Sequence, residues 1–347
     1  MKVLVTGGLG FIGSHTVVSL IENGFDVVIV DNLYNAKMAA LDGIEAITHV
    51  RPTFYKVDCE DEEKMDEIFK KEKVDSIIHF AGYKAVGESV KKPLMYYSNN
   101  LCTTFTLLKL MDKYGVKNLV FSSSATIYGV PDSVPLTEEA PRKSATSPYG
   151  ETKVMIERIL EDISFVNPDL NVAVLRYFNP IGAHKSGLLG EDPNGIPNNL
   201  LPYINRVACG LLKEVHVYGS DYPTVDGTGV RDYIHVCDLA YGHVLALKKL
   251  ASKPGLVVYN LGTGKGTSVL EVIKAYEEST GIKIPYVIEG RRPGDVAINY
   301  AATDKAYKEL GFKCQYTVKD ACLDGYNFQK AELERKNINK IWEYFMY

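Results

Sequence analysis

The sequence lacks any long apolar run. No stretch approaches the roughly 18 residues that a membrane-spanning helix requires. It also lacks an excess of either charge: Lys and Arg total 39, Asp and Glu total 43, and the formal net charge is -4. That balance leaves no basic footprint for nucleic acid, and Lys70–Lys71 sits among glutamates as a solvated helix face would. The six cysteines (Cys59, Cys102, Cys209, Cys237, Cys314 and Cys322) contain no C-x-x-C pair. They read as reduced thiols of a cytoplasmic protein. The seven histidines form no H-E-x-x-H or similar cluster, so no metal is expected. Residues Met1–Gly7 are too short an apolar run for a signal peptide and read instead as the first strand of the fold. Tryptophan occurs once. Tyrosine, at 23 residues against 12 phenylalanines, is abundant and suits half-wet site walls.

A length of 347 residues suggests about two domains. The first half alternates short β-branched runs with amphipathic stretches. Strands are expected at Val3–Val5, Val27–Val30, Phe54–Val57, Ser76–Phe80, Leu119–Ser122 and Val172–Leu175. Helices are expected at Phe11–Asn23, Glu63–Lys71, Thr103–Lys113 and Glu151–Phe165. Near-continuous apolar strands separated by helices predict an α/β fold: a Rossmann-like, doubly wound parallel sheet covered on both faces. After Pro180 loops lengthen, and a smaller C-terminal α/β substrate domain is expected over residues 181–347, some of whose segments return to the first. Strand and helix signals continue there at Val215–Tyr218, Leu239–Leu250, Val257–Leu261 and Ser268–Ser279. The tail, residues 329–347, has no assigned role. Ile338, Ile341, Trp342 and Phe345 would share one helical face, or the tail is frayed and the pattern is chance.

Thr6-Gly7-Gly8-Leu9-Gly10-Phe11-Ile12-Gly13 follows the first strand and opens the first helix, where a dinucleotide-binding glycine loop belongs. Gly7 permits the turn, Gly10 admits a pyrophosphate, and Gly13 lets helix and strand approach. The helix N-terminus supplies free N–H groups for the phosphates. The spacing is G-x-x-G-x-x-G rather than G-x-G-x-x-G. Asp31, ending the second strand, can accept from both adenosine ribose hydroxyls and would repel a 2′-phosphate, which favours NAD over NADP. Asp31, Asn32 and Asn35 also suit a turn. Asp58 can face the adenine or cap the helix at Glu62.

Tyr149 and Lys153 are spaced i, i+4 at a helix start and share a face. A free tyrosine titrates near 10 and is a poor base at neutral pH, whereas a nearby ammonium favours the phenolate. Upstream, Leu119–Ser124 is a strand running into hydroxyls at its carboxyl end, where open α/β sheets place their chemistry. Ser124 can relay a proton there, or simply make a turn.

The glycine loop, Ser124 and Tyr149-x-x-x-Lys153 together resemble the extended short-chain dehydrogenase/reductase family. Gly190–Leu200, Asp226–Val236 and Arg291-Arg292-x-Gly294-Asp295 are similar to the UDP-sugar 4-epimerases within it. The resemblance runs to about Phe328. It implies a tightly bound, unconsumed NAD held by Gly7, Gly10, Phe11, Ile12, Gly13, Asp31, Asn32, Asn35, Asp58, Cys59, Phe80, Ala81, Gly82, Lys84, Asn99, Ser122, Tyr149, Lys153, Tyr177 and Phe178. It implies a UDP-sugar held by Lys84, Ser124, Tyr149, Asn179, Asn199, Leu200, Tyr218, Arg231, Arg292, Asp295 and Asn299. His235 and Asp238 are expected to serve as a strand end and a helix cap. A homodimer through helices near Thr103–Tyr114 and Glu151–Phe165 is also implied.

The implied reaction interconverts UDP-galactose and UDP-glucose in galactose metabolism, by transient oxidation at sugar carbon 4, with Ser124, Tyr149 and Lys153 as catalytic residues. Related 4,6-dehydratases carry an Asp-Glu pair after the strand-end hydroxyl. Here Ala125 and Thr126 stand there, and neither can move the required protons. The position of Asn299 bounds the sugar pocket in the family, and a side chain smaller than tyrosine predicts added turnover of UDP-GlcNAc and UDP-GalNAc. The alternatives are a UDP-xylose or UDP-glucuronate 4-epimerase, and a catalytically silent NAD-binding regulator.

Overall fold

The computed structural model describes every residue except Ser144, Pro293 and Tyr347, with the backbone alone over residues 337–346. Strands and helices alternate from the start: β1 (Lys2–Thr6), α1 (Phe11–Glu22), β2 (Asp26–Asp31), α2 (Ala39–Thr48), β3 (Thr53–Lys56), α3 (Glu62–Glu72) and β4 (Ser76–His79). There follow α4 (Val86–Lys91), α5 (Pro93–Tyr114), β5 (Asn118–Ser124), α6 (Pro148–Val166), β6 (Asn171–Tyr177) and β7 (Asn179–Ile181). Then come α7 (Leu200–Ala208), β8 (Val215–Tyr218), β9 (Val230–Arg231), β10 (Tyr233–His235), α8 (Val236–Leu250), β11 (Leu256–Leu261) and β12 (Thr267–Ser268). The chain ends with α9 (Val269–Thr280), β13 (Tyr286–Glu289), β14 (Ile298–Asn299), α10 (Asp304–Leu310) and α11 (Val318–Met346).

Seven strands form one sheet in the order β11-β6-β5-β4-β1-β2-β3, every neighbour parallel. This is the doubly wound arrangement that the alternating pattern predicts. Both faces are covered, which is why Val3–Val5 and Ile77–Ile78 carry no polar alternation. Leu20 of α1, Ile44 of α2 and Leu247 of α8 pack on one face. Phe69 of α3, Leu110 of α5 and Leu160 of α6 pack on the other. Strand order reverses between β1 and β4, so a crevice opens beyond their carboxyl ends. The segments α8 and β11 return from beyond Pro180 to complete this layer. A smaller body gathers α7, α9 and α11 around Leu201, Ile204, Val272, Ile273 and Cys322, with β8 paired to β13 and β9 between β12 and β14.

Local chemistry sets most element ends. Asp61 caps α3 through the Lys64 N–H, so Asp58 is not the cap of that helix. Ser268 and Glu271 form a capping box at the start of α9. Helix α5 begins at Pro93, nearly three turns before the sequence pattern suggests. Its early buried positions are Tyr96, Asn99, Asn100, Thr103 and Thr104, polar groups that do not register as an apolar stripe. His235, not Asp238, caps α8 by accepting from the Cys237 N–H. Asp238 instead takes the N–H groups of Gln315 and Tyr316 and ties that loop down. The backbone of the tail is helical through Met346. The face formed by Ile338, Ile341, Trp342 and Phe345 lies outside the described residues.

Candidate active site

A cleft of about 820 Å³ lies over the carboxyl ends of β1, β2 and β4. At its floor Gly7 has φ +67, and a Cβ there would lie 2.8 Å from the Ala81 nitrogen. A Cβ on Gly13 would lie 2.2 Å from the Gly7 carbonyl oxygen, so only glycine lets α1 begin against β1. Gly10 caps α1 without a side-chain hydrogen bond, leaving the first-turn N–H groups facing the cleft. Asp31 is buried and accepts from Leu9 N at 3.1 Å and Leu33 N at 2.8 Å. Burial raises its carboxyl pKa, and those two N–H groups oppose the shift. Asn32 donates to Asp58 at 2.8 Å.

Of the expected cofactor residues, all but Phe178 line this one cleft. Phe178 packs with Tyr128, Leu136 and Ala301 instead. These residues fit NAD: a constricted glycine turn, a helix start with free donors for the pyrophosphate, and an acid where the ribose hydroxyls would lie.

Tyr149, Lys153, Ser122 and Tyr177 line the same cleft. Pro148 at the first turn and the Ser147 cap start α6, so Tyr149 and Lys153 lie on adjacent turns of one face. The Lys153 ammonium donates to the Ser122 carbonyl at 2.7 Å and stands 5.8 Å from the Tyr149 ring centroid. Burial lowers Lys153 to about 8, with Glu157 opposing. Burial also pushes Tyr149 up to about 12, and the Ser124 hydroxyl opposes that shift. Ser124 Oγ accepts from Thr126 N at 3.2 Å and Thr126 Oγ1 at 3.0 Å. With both donors supplied, the hydroxyl proton of Ser124 is free to point at Tyr149. Thr126, read in the sequence only as something a dehydratase would not carry, therefore orients the serine.

The other expected residues fall in several places. Lys84, Asn99 and Asn199 line the cleft. Tyr218, Arg231, Arg292, Asp295 and Asn299 gather in the smaller body. Arg292 donates to Asp295 at 2.9 Å and lies over the Tyr218 ring at 4.7 Å, and Arg231 is 3.9 Å from Asp295. Asn299 is the register partner of Arg231, and its buried Oδ1 has no hydrogen-bond partner among the described residues. A Cβ on Gly294 would lie 3.8 Å from Thr146, so this group borders the start of α6 just ahead of Tyr149. Asn179 is exposed in β7, with its N–H on the Asp232 carbonyl, and Leu200 is part of the second core.

The sequence did not single out Glu191, Asp192, Glu157 or His243. Glu191 accepts from Lys84 at 3.3 Å and Asn199 at 2.7 Å, while Asp192 pairs with Lys37 and lies 3.6 Å from Lys336. These contacts strap residues 190–199 across the cleft. Glu157 lies below Lys153 on α6 and holds Arg176 in a buried two-pronged pair, at 3.1 Å and 2.8 Å. Glu191, Asp192 and Asn199 do fall inside the Gly190–Leu200 motif, but Lys84, Lys37 and Arg176 are distant in sequence, and no local spacing signals those contacts.

The family model for the NAD dependent epimerase/dehydratase family matches residues 3–262. The chain is 53% identical over 333 residues to a UDP-glucose 4-epimerase of Bacillus subtilis (strain 168), covering 96% of this chain and 98% of that one. A UDP-glucose 4-epimerase from Bifidobacterium longum, solved in complex with NAD+ and UDP, is 54% identical with a TM-score of 0.93, covering 95% of this chain and 98% of that one. A UDP-glucose-4-epimerase from Stenotrophomonas maltophila, solved with bound NAD and formylated UDP-arabinopyranose, is 48% identical with a TM-score of 0.94, over 96% and 99% of the two chains.

Proposed function

The chain belongs to the NAD dependent epimerase/dehydratase family, and from that premise we propose how its residues interconvert UDP-glucose and UDP-galactose. The observation that carries the reading is one cleft with the glycine loop and Asp31 at one end and Tyr149, Ser122 and Lys153 at the other. NAD, when bound, accepts the hydride of sugar carbon 4 and returns it. Tyr149 takes the proton of the 4-hydroxyl with Ser124 bridging, and gives it back after the sugar has turned over. Thr126 keeps the Ser124 proton aimed at the phenol. Lys153 adds positive charge close to the phenol, which favours the phenolate against the cost of burial. Because oxidation and reduction cancel, the cofactor stays in place while the substrate exchanges.

The smaller body takes the UDP portion. Arg231 and Arg292 present guanidinium forks to the diphosphate, Asp295 accepts from the uridine ribose, and Tyr218 lies against the uracil. Asn299 leaves room for a 2-N-acetyl group, so UDP-GlcNAc and UDP-GalNAc are also interconverted. The first domain thus serves the cofactor and the second the sugar nucleotide. The enzyme works in galactose metabolism in the cytoplasm as a homodimer, pairing through α5 and α6, where Leu94, Phe105, Met155 and Phe165 are exposed.

The test is conversion of UDP-galactose to UDP-glucose by purified protein without added NAD. Tyr149→Phe is expected to lower the rate by roughly 10²–10⁴-fold. A near wild-type rate in that variant overturns the assignment.

A further inference from the structure

Behind the cleft wall stands a histidine that the proposed mechanism does not use. His243 lies on α8 and is completely buried. Its Nδ1 is 2.8 Å from the Leu239 carbonyl, which can only accept, so Nδ1 carries a proton. The ring is neutral there, since burial lowers its pKa to about 4. Nε2 is therefore an acceptor, and it is hydrogen-bonded to the Tyr177 hydroxyl. Tyr177 must donate to it. The Tyr177 oxygen then presents its lone pairs away from His243, on the cleft wall that Ser122 shares. The Ser122 carbonyl in turn takes the Lys153 ammonium. His243 also packs on Phe80, the second aromatic wall of the cleft, with ring centroids 4.8 Å apart.

We propose that His243 is a positioning residue that fixes the rotor of the Tyr177 phenol in the wall of the cleft that holds Tyr149 and Lys153. It turns the Tyr177 phenol into an acceptor on the cleft side. The argument rests on the proposed roles of Tyr149 and Lys153, and the tests separate the two readings. Without an acceptor at position 243, the Tyr177 hydroxyl is free to swing into the cleft as a donor. The wall then offers the wrong polarity.

The experiment compares holoenzyme carrying His243→Leu, His243→Gln, Tyr177→Phe and the Leu/Phe double change. His243→Leu should lower kcat roughly tenfold to a hundredfold, the scale expected for a small misplacement, with KM for the sugar nucleotide within about twofold. His243→Gln, whose amide oxygen can accept, should recover most of the loss. Tyr177→Phe should match His243→Leu, and the double variant should be no worse than either single change. A readout apart from turnover is the ¹⁵N shift of His243 Nε2 in substrate-free protein, which should mark a hydrogen-bonded acceptor and lose that mark in Tyr177→Phe. Additive losses, an unchanged kcat in His243→Leu, or a failure of His243→Gln to recover overturn the proposal. If His243→Leu does not fold, Tyr177→Phe and His243→Gln decide it: a loss in the first with near wild-type kcat in the second supports the anchor, and equal rates in both overturn it. A defect confined to Tyr149→Phe, with these variants silent, leaves the function standing and removes only the anchor.

Discussion

Lys153 grips the backbone of Ser122 rather than the phenol of Tyr149: its ammonium lies 2.7 Å from the Ser122 carbonyl and 5.8 Å from the centre of the tyrosine ring. Its influence on Tyr149 is thus one of charge across a short gap, and burial opposes that charge. This gives the pair a distinct pH signature.

An ordinary lysine titrates near 10.5, and in the fold Lys153 is lowered to about 8. Between those values the unfolded chain holds a proton that the folded chain has released. Stability therefore rises with pH across that window, by up to about 3 kcal/mol. Tyr149 acts in the opposite sense: raised from 10.0 to about 12, it keeps its proton in the fold and costs stability as pH climbs from 10 to 12. Urea midpoints of cofactor-free protein at pH 7.5 and 10 should show the gap between wild type and Lys153→Met moving by that amount. A constant gap would contradict the burial of the ammonium.

Glu157 carries a structural load that its exposed neighbours on α6 do not. It faces Arg176 inside the sheet–helix layer, both side chains being almost fully buried, with Ser123 donating to the same carboxylate. Glu157→Ala strands the guanidinium and should destabilise the fold by about 3–5 kcal/mol. Glu157→Leu combined with Arg176→Met should recover much of that. Thermal unfolding of the single and double variants measures both, and a mild single change of under about 1 kcal/mol would refute the claim that the pair is desolvated.

Gly13→Ala should abolish NAD retention. The new methyl would meet the Gly7 carbonyl at 2.2 Å, and backbone on both sides prevents relief. The start of α1 must move away from β1, which removes its free N–H groups from the pyrophosphate. The absorbance of cofactor released on denaturation of the purified protein reports the loss. Retention equal to wild type would mean that the loop tolerates a shift that these distances forbid.

Asn299→Tyr should separate the two substrate pairs. On the proposed reading, in which Asn299 beside Arg231 bounds the sugar pocket, the larger ring closes that pocket, so turnover of UDP-GlcNAc should fall by at least about tenfold while UDP-glucose turnover persists. Equal losses on both substrates would remove Asn299 from the specificity argument.

Most of what was legible in the sequence depends on near neighbours in the chain. The alternation of buried strands and amphipathic helices predicts the parallel sheet. The glycine loop, the strand-end acid Asp31 and the i, i+4 pair of Tyr149 and Lys153 are local spacings, and the cleft contains them all. Helix α5 was only half visible because its first turns bury asparagines and threonines. The return of α8 and β11 to the first sheet, the grip of Lys153 on Ser122, the Glu157–Arg176 pair, the strap at Asp192 and the His243–Tyr177 contact belong to tertiary structure alone. The physical reason is the same in each case. Hydrogen bonds and ion pairs act over a few ångströms, and only packing decides which distant residues come that close.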